Sequence, residues 1–155
     1  MLRVRATALL LSLAAASASA QGVAYTAHTF AGDTLRIGAG QPATVVAVFA
    51  TWCTTCRNEF GTLDSLQNVL APRGIRVLAL SVDERDDVHV RRYVDARRTH
   101  VPVARDASGA VGRTFGTVGV PEAYLVDTKG IIRWRGRGDI RTNIPELRRA
   151  LQSVR

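Results

Sequence analysis

The chain has 155 residues, of which 46% are hydrophobic and 22% are charged. This length and composition fit one domain with a buried core. The formal net charge is +8 at pH 7, carried mostly by arginine. A basic surface can meet nucleic acid or an acidic partner. The sequence shows no nucleic-acid-binding motif, so we interpret the charge as a solvated surface that can dock on an acidic protein or a membrane.

The N-terminus has the pattern of a secretory signal peptide. Arg3 and Arg5 precede an apolar run over 6–16, and the small residues Ala18-Ser19-Ala20 form a cleavage motif. We expect residues 1–20 to be removed and residues 21–155 to act in an oxidising compartment such as the periplasm. The alternative is an uncleaved N-terminal membrane anchor.

Hydrophobic periodicity and turn residues predict alternating strands and helices in the rest of the chain. In chain order we expect a hairpin within 25–37, a buried strand over 45–49, a helix over 57–70, a strand over 75–82, a helix over 86–98, a short strand over 101–104, a short helix over 108–115, strands over 120–126 and 131–135, and a last helix capped by Asn143 with Pro145 in its first turn. Phe60, Leu63, Leu66 and Leu70 place an apolar face on the first helix.

The only two cysteines, Cys53 and Cys56, lie between a predicted buried strand and a predicted helix. The N-terminus of a helix carries partial positive charge, which favours the reactive thiolate. Such a pair can exchange electrons with a disulfide in another molecule. The first cysteine is then the exposed nucleophile, and the second resolves the mixed disulfide.

Other uses of the cysteine pair are less favoured. Tetrahedral zinc needs four ligands, and His28, His89 and His100 show no ligand spacing. A structural disulfide that closes so short a loop restrains the unfolded chain very little. Two inert buried thiols conflict with a strand-to-helix junction that exposes the first of them.

Three segments resemble the TlpA/ResA/CcmG group of thioredoxin-like proteins. Residues 49–59 resemble the active-site segment, and residues 74–84 resemble the second strand. Residues 119–135 are similar to the cis-proline segment and hairpin of the cytochrome c maturation branch. The resemblance implies a thioredoxin-like α/β fold over 21–155, in which helices flank a central mixed sheet and an N-terminal β-hairpin precedes it.

The resemblance also implies roles for five residues. Cys53 is the attacking thiol and Cys56 the resolving thiol. Pro121 is cis and faces the cysteines, which leaves the backbone of Val120 free to pair with a substrate strand. Trp52 covers the site. The alternatives are a trans proline at a strand start and a tryptophan packed in the core.

An acid near the thiols would manage their protons. Thioredoxin has a buried aspartate six residues before its first cysteine, but this chain has Ala47 there. The resemblance to the ResA-like branch implies Glu84, which follows the second strand. Glu122, beside Pro121, is the second candidate. The alternative for each is an ordinary solvated carboxylate.

These features predict an exported thiol–disulfide oxidoreductase that reduces specific proteins, in cytochrome c or copper-site assembly. We expect a monomer with no metal and no cofactor beyond the Cys53–Cys56 disulfide. Its partners are disulfide-bearing substrate proteins and a membrane electron donor. The alternatives are an oxidant that introduces disulfides and a Cu(I) carrier. The threonine and proline that normally precede a peroxidatic cysteine are missing, which disfavours a peroxidase.

Overall fold

The structure is a computed structural model, and it describes residues 22–154. The predicted signal peptide and its cleavage site lie outside this range. Within it, the chain forms seven β-strands and four α-helices. In order, these are β1 Ala24–His28, β2 Thr34–Gly38, β3 Thr44–Phe49, α1 Phe60–Leu70, β4 Arg76–Ser81, α2 Asp87–Asp95, β5 Val103–Arg105, α3 Ala110–Phe115, β6 Glu122–Val126, β7 Ile132–Arg137 and α4 Ile140–Gln152.

Five of the strands form one mixed sheet in the order β5-β4-β3-β6-β7. The central strand β3 pairs parallel with β4 and antiparallel with β6. β4 pairs parallel with β5, and β6 pairs antiparallel with β7. The predicted α/β fold with a central mixed sheet is therefore confirmed.

The two faces of this sheet bury separate cores, because successive side chains of a strand point to opposite faces. Val45, Ala47 and Phe49 pack with α1, α2 and α4, and the cysteines belong to this first core. Val46 and Val48 pack with α3 and with the separate β1–β2 hairpin in the second core. The predicted N-terminal hairpin is thus confirmed, and it covers the face opposite the cysteines.

Helix α1 buries the face that its apolar spacing predicts. Phe60, Leu63 and Leu70 are each no more than 3% exposed, and Leu66 packs against them while partly buried. Asp86 caps α2 as expected, since its side chain accepts a hydrogen bond from the backbone N–H of His89.

The start of α4 differs from the prediction. The helix begins at Ile140, where Asp139 is the cap and accepts from the N–H of Arg141 at 2.9 Å. Asn143 lies inside the helix and donates to the carbonyl of Asp139. Pro145 therefore lies in the helix interior rather than in the first turn.

Strand β6 begins at Glu122, two residues later than predicted. Pro121 lacks the N–H that a sheet ladder requires, so the pairing with β3 starts after it. Helix α2 ends at Asp95, three residues before the predicted end, and Arg98 has a positive φ of 49° that no helix contains.

No helix within residues 22–154 is long and apolar enough to cross a membrane.

Gly38, at the end of β2, should be essential for the stability of the hairpin. Its φ is +140°, and an added Cβ would lie 2.3 Å from the carbonyl oxygen of Val23. We expect Gly38→Ala to lower the free energy of unfolding by about 2–3 kcal/mol, as measured by urea denaturation.

The matched control is Gly40→Ala. Gly40 has a φ of +74°, but an added Cβ would have open space around it. This variant should lose only about 1 kcal/mol, the cost of the left-handed conformation alone. Equal losses in the two variants would contradict the steric account of Gly38.

Candidate active site

The cysteine pair lies in the segment between the end of β3 and the start of α1. After β3 ends at Phe49, a turn is closed by a 3.1 Å hydrogen bond from the N–H of Cys53 to the carbonyl of Ala50. Cys53 and Cys56 are joined by a disulfide. Cys56 then opens a short 3₁₀ turn that leads into α1. The predicted position of the pair, between strand and helix, is confirmed.

The two cysteines differ in their access to solvent. Cys53 is 7% exposed, whereas Cys56 is completely buried. The backbone N–H of Cys56 points at the Cys53 sulfur with an N···S distance of 3.2 Å. A hydrogen bond to a thiolate lowers the pKa of the thiol, and this donor reaches only the first sulfur of the pair.

Trp52 lies on the surface beside this turn. Its side chain is 68% exposed, so the alternative that it is packed in the core is not what the structure shows. It lines an apolar groove that we call the Trp52 groove, together with Val82, Gly109, Val111, Gly112, Thr117, Val118, Gly119 and Val120. Val118 is 80% exposed, so the groove presents apolar surface to solvent next to the disulfide.

Pro121 comes directly after Val120, the last residue in sequence that lines the Trp52 groove. The Val120–Pro121 peptide bond is cis, as the resemblance implies. The carbonyl of Pro121 accepts from the N–H of Gly138 at 2.9 Å. Within residues 22–154, the backbone of Val120 makes no turn or loop hydrogen bond, and β6 starts only after Pro121. The edge presented by Val120 is therefore available to an extended ligand.

The two acids singled out in the sequence lie in different surroundings. Glu84 is exposed and makes no side-chain hydrogen bond to the described part of the chain. Glu122 is 3% exposed. Its carboxylate accepts from the N–H of Val118 at 3.2 Å, the hydroxyl of Tyr124 at 2.8 Å and the guanidinium of Arg137 at 3.0 Å.

Glu122 shares a sheet face with the second core. It lies opposite Val48 in the register of β3 and β6, and Val48 and Tyr124 both belong to that core. The cysteines belong to the core on the other face. The structure therefore brings Glu122 to the segment 117–120 rather than to the face of the cysteines.

A third acid, Glu59, lies three residues after Cys56 and was not predicted from the sequence. Its side chain is 4% exposed, and Oε1 accepts from the N–H of Ile140 at 2.5 Å. Burial raises the pKa of Glu59 to about 7. Asp139 adds to this rise, while the Ile140 N–H and Arg141 oppose it. Residues three apart in a 3₁₀ turn lie above one another, so Glu59 lies on the same side of the turn as Cys56.

A signal for Glu59 was present in the sequence. It directly precedes Phe60, the first residue of the apolar face of α1. It also lies four residues before Leu63, so helical spacing places it on the buried face of α1. A second missed acid, Asp83, is 1% exposed and binds the turn before Cys53.

No cluster of three or more potential metal ligands occurs among residues 22–154. The three histidines lie apart, and each has a different neighbour: Thr34 for His28, Thr51 for His89 and Asp64 for His100.

Residues 21–135 match the model of the AhpC/TSA family. The chain belongs to the AhpC/TSA family. Among curated members, it is 32% identical over 105 residues to the thiol:disulfide interchange protein DsbE of Haemophilus influenzae, covering 68% of this chain and 55% of that protein. It is 33% identical over 107 residues to the protein of the same name in Escherichia coli, covering 69% and 55%. The chain spans about half the length of these curated relatives.

Solved structures with this fold include a putative DsbE from Chlorobium tepidum, with a TM-score of 0.72 and 19% identity over 86% of this chain and 96% of that one. StoA from Bacillus subtilis has a TM-score of 0.68 and 16% identity, covering 76% and 90%. At these identities the likeness establishes the thioredoxin-like fold that this family member was expected to have.

In the reduced protein, Cys53 should react with iodoacetamide much faster than Cys56. Cys53 is the more exposed cysteine, and its sulfur accepts the N–H of Cys56, so we expect its pKa to lie below the free-thiol value of about 8.5. Mass-resolved alkylation as a function of pH measures both properties. Faster labelling of Cys56, with Cys53→Ser and Cys56→Ser as single-thiol controls, would contradict the assigned roles.

Glu59 should make the oxidised protein less stable at alkaline pH. Its pKa is higher in the folded state than in the unfolded state, so its favourable contribution is complete below about pH 4.5 and is lost as the pH rises through about 7. Between pH 5 and pH 8, wild type should lose up to about 3 kcal/mol more unfolding free energy than Glu59→Gln, as measured with urea. Glu84→Gln, at an exposed position, should follow wild type; identical profiles for all three proteins would refute the effect.

Proposed function

We propose that this protein is an exported thiol–disulfide oxidoreductase that reduces disulfides in specific partner proteins. One observation carries the proposal: Cys53 is slightly exposed and directly follows Trp52 of the Trp52 groove, whereas its disulfide partner Cys56 is fully buried. This is the asymmetry that a two-step exchange requires. The name shared by the curated relatives, thiol:disulfide interchange protein, supports the same chemistry.

The exchange proceeds through two sulfur displacements. The Cys53 thiolate attacks one sulfur of the substrate disulfide, forms a mixed disulfide and releases the other substrate sulfur as a thiolate. Cys56 then loses its proton and attacks the Cys53 sulfur, which restores the Cys53–Cys56 disulfide and releases the second substrate thiolate. The substrate gains two electrons and the protein loses two, so a dithiol donor must reduce the protein before the next cycle.

The surroundings of Cys53 favour a protein substrate. An extended segment of the substrate can pair with the free backbone edge at Val120, and its apolar side chains can enter the Trp52 groove. Glu122 supports this arrangement, because it accepts the N–H of Val118 and so holds the segment that forms one wall of the groove.

Glu59 is the carboxyl best placed to take the proton of Cys56. It is buried, lies one 3₁₀ turn after Cys56, and has a pKa raised to about 7, close to working pH. A general base is most effective when its pKa lies near the operating pH. Its negative charge, once formed, also disfavours a thiolate at Cys56.

The direction of the reaction follows from the charges near the sulfurs. Thr54 and Thr55, between the cysteines, carry no cation that would stabilise a thiolate in the manner of a strong oxidant. We propose that the protein acts as a reductant in an oxidising compartment, supplied by a membrane electron donor. The resemblance of 119–135 to the cytochrome c maturation branch supports substrates in cytochrome c or copper-site assembly.

The reduction potential tests the direction of electron flow. We expect a value nearer to thioredoxin's roughly −270 mV than to DsbA's roughly −120 mV, measured by equilibration with glutathione. A potential near that of DsbA would reject the reductant and favour the oxidant.

Glu59→Gln should lower the pKa of Cys56, because it removes a nearby negative charge. Glu84→Gln and Glu122→Gln are the matched controls, and an unchanged Cys56 titration in Glu59→Gln would reject the role of Glu59.

Covalent trapping tests the substrates. In the native host, the Cys56→Ser variant should accumulate mixed disulfides through Cys53, since nothing resolves them. Mass spectrometry after non-reducing purification identifies the attached proteins. The Cys53→Ser variant and the double variant are controls that should trap nothing; equal recovery from all three would contradict the proposed exchange.

A further inference from the structure

Asp83 is a buried carboxylate that accepts three hydrogen bonds. It lies two residues after β4 and is 1% exposed. Oδ2 accepts from the backbone N–H of Thr51 at 2.9 Å and from the hydroxyl of Ser81 at 2.6 Å. Oδ1 accepts from the hydroxyl of Thr51 at 2.5 Å. Two of these three donors belong to Thr51, which is 32 residues away in sequence.

The burial of this carboxylate costs free energy that its contacts must offset. Among residues 22–154, no lysine, arginine or histidine forms an ion pair with it. The guanidinium of Arg105 contacts only the backbone carbonyl of Asp83 at 3.4 Å and pairs with Asp87 instead. Removing a carboxylate from water without a counter-charge is unfavourable, so hydrogen bonds alone must stabilise it.

Thr51 is the second residue of the Ala50–Cys53 turn, which positions Cys53. The N–H of Thr51 lies just beyond the end of β3, where the sheet ladder no longer supplies an acceptor. Asp83 supplies one for this N–H and another for the Thr51 hydroxyl. The backbone and the side chain of the same residue are thus held from one carboxylate, which fixes the position of the residue more firmly than a single bond.

His89, on α2, is a second side chain that contacts the Thr51 hydroxyl. Its Nε2 lies 3.1 Å from the hydroxyl oxygen of Thr51. Because that hydroxyl gives its hydrogen to Asp83, it can only accept from the imidazole. Thr51 is therefore held between the loop after β4 and the first turn of α2.

We propose that Asp83 is a positioning residue for Cys53, acting through Thr51 on the Ala50–Cys53 turn. This rests on the proposed exchange at Cys53. With Thr51 fixed, the turn closes through the N–H of Cys53, Trp52 is directed outward, and the Cys53 sulfur meets the N–H of Cys56. If Thr51 is released, the sulfur loses its alignment with that N–H and with an incoming disulfide.

The role differs from that of an acid that exchanges protons with the thiols. A proton-transferring group acts through its charge, whereas a positioning group acts through its hydrogen bonds. Thr51→Val removes the hydroxyl, preserves the shape of the side chain and leaves the Asp83 charge in place. Thr51→Ser keeps the hydroxyl and serves as the conservative control.

The experiment measures the reactivity of Cys53 in the full chain. The readouts are the rate constant for attack of the reduced protein on a small aromatic disulfide and the pKa of Cys53 from alkylation against pH. We expect Thr51→Val to slow the attack about tenfold, with a raised Cys53 pKa, because a slightly misplaced nucleophile loses much of its rate. Thr51→Ser should stay within about twofold of wild type, since it restores the hydroxyl bond.

A double-mutant cycle with Asp83→Asn tests the connection between the two residues. If Asp83 acts through Thr51, the second substitution should add little to the first, so the effects on the rate constant are not additive. Additive effects, or equal rates for Thr51→Val and Thr51→Ser, would overturn the proposal. If Asp83→Asn fails to fold, the comparison of the two Thr51 variants decides.

The outcomes also separate this proposal from the proposed function. If wild type traps no partner protein and is not a reductant, the function fails, yet the alkylation of Cys53 still reports on its positioning. If wild type exchanges disulfides and the Thr51 variants match it in rate and pKa, the positioning role alone is wrong.

Discussion

The register of the central strand β3 determines how the active site is assembled. All six of its residues are buried, and it pairs on both edges. Because β4 runs parallel to β3, their carboxyl ends meet, with Phe49 opposite Ser81. Because β6 runs antiparallel, its start meets the end of β3, with Val48 opposite Glu122. Three segments distant in sequence thus converge at one edge of the sheet: the cysteine turn, the Asp83 loop and the Pro121 segment.

A slip of one residue in either pairing would dismantle this arrangement. It would move every side chain of a strand to the opposite face, which β3 cannot tolerate with one core on each face. Because β3 is apolar on both faces, the shapes of the two cores rather than hydrophobicity alone hold this register, and with it the site. Asp83 lies just past the end of β4, where the ladder leaves the N–H of Thr51 without a backbone acceptor.

Two buried acids connect the segments of the site. The strand position that holds an aspartate in thioredoxin is occupied by Ala47, which packs in the first core. Glu59 instead lies between the cysteine turn and α4, where it accepts the N–H of Ile140 at the start of that helix. Asp83 joins the loop after β4 to the cysteine turn. Each carboxyl thereby links two segments of the site as well as placing charge beside it.

Local patterns were sufficient to predict several elements. The apolar face of α1, the N-terminal hairpin and the cap of α2 at Asp86 all follow from residues close together in sequence. The start of α4 was predicted four residues too late, because asparagine and aspartate are both good caps and local sequence cannot rank them. Gly138, with a φ of +75°, and the contact from Glu59 decide in favour of Asp139.

The sequence by itself determined the cysteine pair, its place between strand and helix, and the order of elements that makes a thioredoxin-like fold. These features depend on spacing and periodicity, which are local. Only the tertiary structure decided which carboxyls are buried. Asp83 and Glu84 are neighbours of similar chemistry, yet the first is 1% exposed and the second is on the surface. The difference arises because Asp83 accepts hydrogen bonds from the N–H and the hydroxyl of Thr51, which lies 32 residues away in sequence. A contact over that separation leaves no local pattern in the sequence.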